Sequence, residues 1–179
     1  LDSIYTSFSA SSNGLIGFGN SPVTPNYVNS TNNTNATQVL YVSWDDWYTA
    51  DSGNVSYKVV GNAPNRKLVV EWKVRNLIDE YGNFTKTFQA WLFEGSNRIQ
   101  YVYGNGTNMT DATIGLRGAT ASDFNEVTTT SHTNSTTSVN DNNIQWPGSG
   151  RSYVFDPGVT CGSTITVYST SSSCDAQAT

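Results

Sequence analysis

Residues 67–75, KLVVEWKVR, place Leu68, Val70, Trp72 and Val74 at every second position, with Lys67, Glu71, Lys73 and Arg75 between them. A helix would scatter those apolar groups around its circumference. A strand gathers them on one buried face and leaves the charged set on a wet one. FQAWLF (88–93) and IQYVYG (99–104) follow within a hairpin's reach, joined by EGSN (94–97). In 88–93 both parities carry apolar groups: Phe88, Ala90 and Leu92 on one side, Trp91 and Phe93 beside Gln89 on the other. That strand is either covered on both faces or displays an aromatic patch.

The flanks repeat the short period. SFSASSNGLIGFG (7–19) reads as two strands around a turn at Asn13–Gly14. QVLYVSWDDWY (38–48) alternates through Leu40, Val42 and Trp44. VSYKVV (55–60) lies between the turns DSGN and GNAPN, and ATIGLRG, SYVF and STITVYS supply further strands. Nowhere do apolar residues recur at helical spacing over a dozen positions. Short strands separated by Gly, Asn and Pro predict an all-β chain folded as a single, predominantly antiparallel β-sandwich. Jelly-roll and immunoglobulin-like topologies both fit. The expected domain spans 1–158, with long polar loops at 20–37 and 119–143, and a β-prone tail follows at 159–179.

Asn, Ser and Thr make up 65 of the 179 residues, while charged residues reach only 13%, about half the usual fraction. With a formal net charge of -5 and nine basic residues thinly spread, the chain lacks the clustered cationic footprint that nucleic acid requires. No apolar run is long enough to span a bilayer, so membrane insertion is not expected. No apolar leader opens the chain, which suggests a mature, exported form. No phosphate loop, nucleophile elbow or metalloprotease helix occurs, and neither a cofactor nor a metal is expected.

Cys161 and Cys174 enclose a small loop of Gly, Ser and Thr residues. In an oxidising compartment the pair forms a disulfide, worth about 3 kcal/mol by loop closure. The only histidine, His132, sits far away in a Ser/Thr loop and reads as a solvated side chain rather than a metal ligand.

The succession SSNGLIGFG, WDDWY, NVSYKVVGNAPNRKLVVEWKVRN, FQAWLFEGSNRIQYVYGN, ATIGLRG and WPGSGRSYVFDPG resembles a β-sandwich domain widespread in large secreted proteins of Bacteroidota. The resemblance covers most of residues 7–158. It implies an extracellular, surface-associated protein with no general catalytic activity, and a structural role for WDD, whose aspartates fasten neighbouring backbone. Two departures stand out. Members of that family have a further strand ahead of the segment matching Tyr5–Gly19, and here a β-prone tail with its own cysteine pair follows Tyr153–Phe155.

Asp45 and Asp46 are the best acidic pair. Adjacent strand residues point to opposite faces, so the two do not form the facing carboxylates that glycoside hydrolysis needs. Trp47 and Tyr48, outside the clean alternation, are the expected exposed aromatics, and with Trp146 they are candidate contacts for a sugar or a protein partner. Eight N-x-S/T sequons, at Asn29, Asn32, Asn35, Asn54, Asn83, Asn105, Asn108 and Asn134, fall mostly in expected loops and are candidate glycan attachment sites.

These readings converge on a non-enzymatic, extracellular or cell-surface structural or adhesive protein. Its expected partner is itself, in a fibre linked by strand exchange with the tail around Ile165, Val167 and Tyr168 as donor. A carbohydrate-binding module working through Trp47 is the alternative, with glycans as partners. An accessory domain of a secreted polysaccharide-degrading protein is a second.

Overall fold

The computed structural model describes residues 4–24, 26–29, 37–49, 52–76, 86–156 and 167–168. Among these there is no helix. Thirteen strands form two sheets, and every pairing is antiparallel. The first sheet holds β1 (Phe8–Ala10), β2 (Leu15–Phe18), β3 (Val39–Trp44), β9 (Thr113–Arg117), β10 (Phe124–Thr128) and β11 (Thr133–Ser135), in that order. The second runs β13 (Val167–Tyr168), β12 (Ser152–Phe155), β8 (Ile99–Tyr103), β7 (Lys86–Phe93) and β6 (Lys67–Asn76). β4 (Trp47–Tyr48) and β5 (Asn54–Val60) then share the far edge of β6, β4 on Arg75–Asn76 and β5 on Lys67–Lys73. The fold is a β-sandwich, as the alternation predicts.

The core lies between the sheets. Val70, Trp72 and Val74 of β6 point inward with Phe88, Ala90, Tyr101 and Tyr103, and meet Ile16, Leu40, Val42 and Ile114 of the first sheet. Trp72 and Phe88 are directly opposed across β6 and β7, and their rings stack with centroids 5.1 Å apart. Three polar handles on these aromatics cross to the other sheet's backbone. Trp72 Nε1 donates to the Ser11 carbonyl (2.8 Å), Tyr101 Oη to that of Gly115 (2.7 Å) and Tyr103 Oη to that of Val42 (2.5 Å). Each places a hydrogen bond where an unpaired carbonyl would be costly.

The β1–β2 hairpin turns at Gly14, whose φ of 78° suits glycine. A Cβ there would stand 2.0 Å from the Ser43 carbonyl oxygen, so the turn lies directly against β3.

Four expectations are corrected. Trp44 does not share a face with Leu40 and Val42: a register shift between Tyr41 and Trp44 turns it to the outer side of the first sheet. There it stacks on Tyr41, within a second apolar cluster that also holds Leu15 and Val39 and is covered by Val23. The 119–143 stretch is not a surface excursion but contains the β10–β11 hairpin, paired in register with β9. Arg75, expected on the wet face of β6, is only 2% exposed, with its guanidinium 4.5 Å from the centre of the Tyr48 ring. The tail, expected to leave as a donor, adds to its own sheet instead, Val167 and Tyr168 pairing with Tyr153 and Ser152. The pairing covers the edge of β12 that β8 does not reach. Ile165, Cys161 and Cys174 lie outside the described residues.

Candidate functional site

The WDD corner is where β3 leaves the first sheet and β4 joins the second. Asp45 is 1% exposed. One of its carboxylate oxygens accepts the Asp46 backbone N–H at 2.7 Å and the other that of Thr110 at 3.0 Å. Burial pushes its pKa up, against the lowering effect of these N–H donors. Both oxygens are committed to backbone, whereas Asp46 is exposed. The two do not converge on a common point, so the corner is a fastening rather than an acid/base pair.

Trp47, expected at the surface, is 3% exposed, and its indole N–H reaches the Ser43 carbonyl at 2.5 Å. Its backbone N–H is held by the Asp45 carbonyl and by Asn13 Oδ1. Trp146 is also buried, its N–H on the Gly104 carbonyl at 3.0 Å and its ring against Phe88 and Tyr103. Neither ring offers a face to a sugar. Tyr48 is half-buried beneath the Arg75 guanidinium.

Asp111 and Asp141 flank the same end of the molecule. Burial is the main cause that raises the Asp111 pKa, followed by the charges of Asp45, Asp141 and Asp46. The Asn29 side-chain amide donates to the Asp111 carbonyl, to the Asp141 carbonyl (3.1 Å) and to Thr113 Oγ1 (3.3 Å). Among the described residues no group of three or more His, Cys, Asp or Glu side chains could hold a metal ion. Asn29 is buried, and through these bonds its amide tethers the 26–29 segment.

Of the other sequons, Asn54, Asn105 and Asn108 are exposed. Asn134 is half-buried, with its amide on Asn125 Oδ1 at 2.9 Å. Asn32, Asn35 and Asn83 lie outside the described residues.

His132 is held rather than solvated. Its Nδ1 lies 3.0 Å from the Tyr153 hydroxyl, linking the β10–β11 turn to β12, and burial lowers its pKa. Glu126, which no motif singled out, is 1% exposed. Its Oε2 accepts the Asn140 N–H at 2.6 Å, while Oε1 is buried without a hydrogen-bond partner. Burial first, and then the Asp141 charge, push its pKa up to about 7, against Arg117 and the Asn140 N–H.

Two surfaces stand out among the described residues. An apolar groove of about 360 Å³ lies between the sheet edges, lined by Tyr5, Phe8, Tyr57, Leu68, Leu92 and Ile99 among others. The other is the outer face of the second sheet, where Trp91 is half-exposed. Its indole N–H donates to Gln89 Oε1 (2.6 Å), Gln89 Nε2 donates to Glu71, and the Lys67 ammonium stands 3.4 Å from its ring centre. The apolar residues on both parities of 88–93 signalled this patch. Its polar partners came into view only with the register.

The sequence profile of the NIDO-related family matches residues 2–157. The chain belongs to the NIDO-related family. NIDO is an extracellular domain type, so membership agrees with the secreted character implied by the Bacteroidota resemblance, without fixing the source. No curated protein and no solved structure matches the chain. No helix among the described residues is long and apolar enough to cross a membrane. The matched region contains every described strand except β13.

Proposed function

We propose that this NIDO-related chain is a non-catalytic module of an extracellular protein, acting in structure or adhesion. Membership of a family related to an extracellular domain type carries the reading. The side chains support it: the acidic pair most suggestive of chemistry has its buried member, Asp45, bound through both oxygens to backbone N–H groups. The aromatic polar handles of Trp47, Trp72, Tyr101, Tyr103 and Trp146 are likewise engaged on carbonyls. Such groups build a rigid display scaffold whose outer surfaces meet the partner.

Assembly through a donated tail is not carried forward, since Val167 and Tyr168 pair within their own sheet. A sugar site at Trp47 is not carried forward either, because the ring is enclosed.

The test is surface labelling of intact source cells and of their medium with an antibody against the sandwich, combined with external protease. Antigen that is released to the medium, or removed by the protease without lysis, fits the proposal. Antigen protected until lysis overturns the extracellular assignment. Release of reducing ends from a polysaccharide panel by the purified chain overturns the non-catalytic one.

A further inference from the structure

β5 is paired along one edge only. All seven of its residues oppose Lys67–Lys73 of β6 without a register shift, and no described strand pairs with its other edge. Its inward parity is Val55, Tyr57 and Val59, opposite Trp72, Val70 and Leu68. Trp72 and Val70 are buried, yet Tyr57 is 68% and Val59 53% exposed. β1, the edge strand of the first sheet, brings Phe8 edge-on against the Tyr57 ring, with centroids 5.4 Å apart, but leaves Tyr57 and Val59 uncovered. The space beside them is the apolar groove, with Tyr5 and Phe18 on the first sheet's side and Leu68 on the second's.

Proteins protect an open sheet edge with proline, a bulge, an inward-pointing charge or a covering segment. β5 has no proline, its register with β6 is unbroken, and its one charge, Lys58, has outward parity. Such an edge is a template for another strand, and the sequence of β5 is complementary to itself. Tyr57 is the midpoint of Asn54–Val60, so antiparallel pairing about a two-fold axis at that residue overlaps the whole strand. On the inner face Val55 then opposes the partner's Val59, and Tyr57 opposes the partner's Tyr57. β-Branched and aromatic pairs of this kind stabilise a sheet. On the outer face Lys58 opposes the partner's Ser56. Ser56 in turn opposes Glu71 of its own β6, so a lysine leaning across the serine approaches a carboxylate. A register centred on Lys58 would instead set two lysines directly opposite one another.

We propose that two copies of this chain pair edge to edge through β5, forming a two-fold dimer in which the second sheets run on as one. The axis keeps both inner faces on the same side, so Tyr57 and Val59 of each copy cover the mouth of the other's groove. The paired strip is about 23 Å long. Across the thickness of a sandwich it buries on the order of 1,000 Å² in all, the lower bound for a specific interface, and the affinity belongs in the micromolar range. Unlike donation of a tail, this pairing exchanges no segment and closes at two copies. For an adhesive module it doubles the valency of whatever surface meets the ligand. It goes beyond the non-catalytic reading and does not depend on it.

The experiment is sedimentation equilibrium of the full chain between about 1 and about 200 μM, where a monomer–dimer equilibrium is expected. Tyr57→Lys sets like charges directly opposite one another and should weaken association about tenfold or more. Ser56→Lys should weaken it and Ser56→Glu tighten it, each about threefold, because position 56 faces the partner's Lys58 in this register alone. The net charge of -5 opposes a further carboxylate, so tightening by Ser56→Glu requires a local cation. Ser56 and Tyr57 are exposed, and urea midpoints check that each variant folds. The proposal is overturned by a monomer throughout that range, with or without an apolar fluorophore taken up by the groove. It is also overturned by a dimer that Tyr57→Lys leaves intact, or by one that responds alike to Ser56→Lys and Ser56→Glu. None of these outcomes bears on the extracellular assignment, which labelling of cells decides.

Discussion

Trp72 donates its indole N–H to the carbonyl of Ser11, 2.8 Å away and across the sandwich, while its ring lies on Phe88 of its own sheet. One side chain therefore joins the second sheet to the hairpin that opens the first. Trp72→Phe keeps most of the apolar contact and removes the donor from a buried carbonyl. Urea denaturation should show a loss of about 2 kcal/mol. Tyr103→Phe, which frees the Val42 carbonyl, should lose about 1–2 kcal/mol. Wild-type stability in both variants would remove these bonds from the account of how the sheets are held together.

Gly14 is the second point of contact between hairpin and scaffold. Gly14→Ala meets both a φ of 78° and a carbonyl oxygen 2.0 Å from the new Cβ. The backbone must move, because the obstacle is main chain rather than the end of a flexible side chain. A loss of at least about 3 kcal/mol is expected, read from the same denaturation experiment. A change within about 0.5 kcal/mol, the usual range for surface substitutions, would contradict the close approach to Ser43.

Glu126 makes stability depend on pH. Its folded pKa is pushed up to about 7 from an ordinary 4.5, so the folded protein holds the proton more tightly than the unfolded chain. The stabilisation from that proton is complete below about 4.5 and is lost as pH rises through about 7. Glu126→Gln cannot ionise, so the wild type should lose stability relative to this variant as pH rises across that window. The relative change is on the order of 3 kcal/mol at full strength. Denaturation of both proteins at about pH 4.5 and about pH 8 measures it. A pH-independent difference between them would show that Glu126 keeps its solution pKa.

Asn29 and the exposed sequons separate two meanings of one motif. In a host that adds N-linked glycans, peptide mapping of the folded, secreted chain should find sugar at Asn54, Asn105 or Asn108 and none at Asn29. The Asn29 amide nitrogen is buried against the Asp111 and Asp141 carbonyls, and a glycan on that atom is incompatible with those bonds. Asn29→Ala should cost about 1–3 kcal/mol by leaving them unmet. A glycan at Asn29 in folded material would contradict the tether.

The alternation in 67–75 and the close spacing of the turns pointed to a predominantly antiparallel sandwich, because a period of two gives each strand one buried face and short turns join antiparallel neighbours. Leu68, Val70, Trp72 and Val74 face inward as read, and the Asn13–Gly14 turn and the β6–β7–β8 pairing fall where the sequence puts them. Tertiary structure alone decided what lay beyond the period. A bulge between Tyr41 and Trp44 reversed the face of Trp44, and a bulge leaves no trace in alternation. Trp146 is buried with its N–H on the carbonyl of Gly104, and Trp47 with its ring beside Phe88 and its backbone N–H on Asn13 Oδ1, and these partners are not neighbours in sequence. The polar stretch 119–143 became a hairpin because β9 presented an edge and the Asn140 and Asn143 amides met the carbonyl of Val127. Sequence marked the strand of Trp91 as two-sided, yet only the register of three strands placed Trp91 among Lys58, Lys67 and Gln89. A surface of that kind is assembled across strands, and the order of residues along the chain does not contain it.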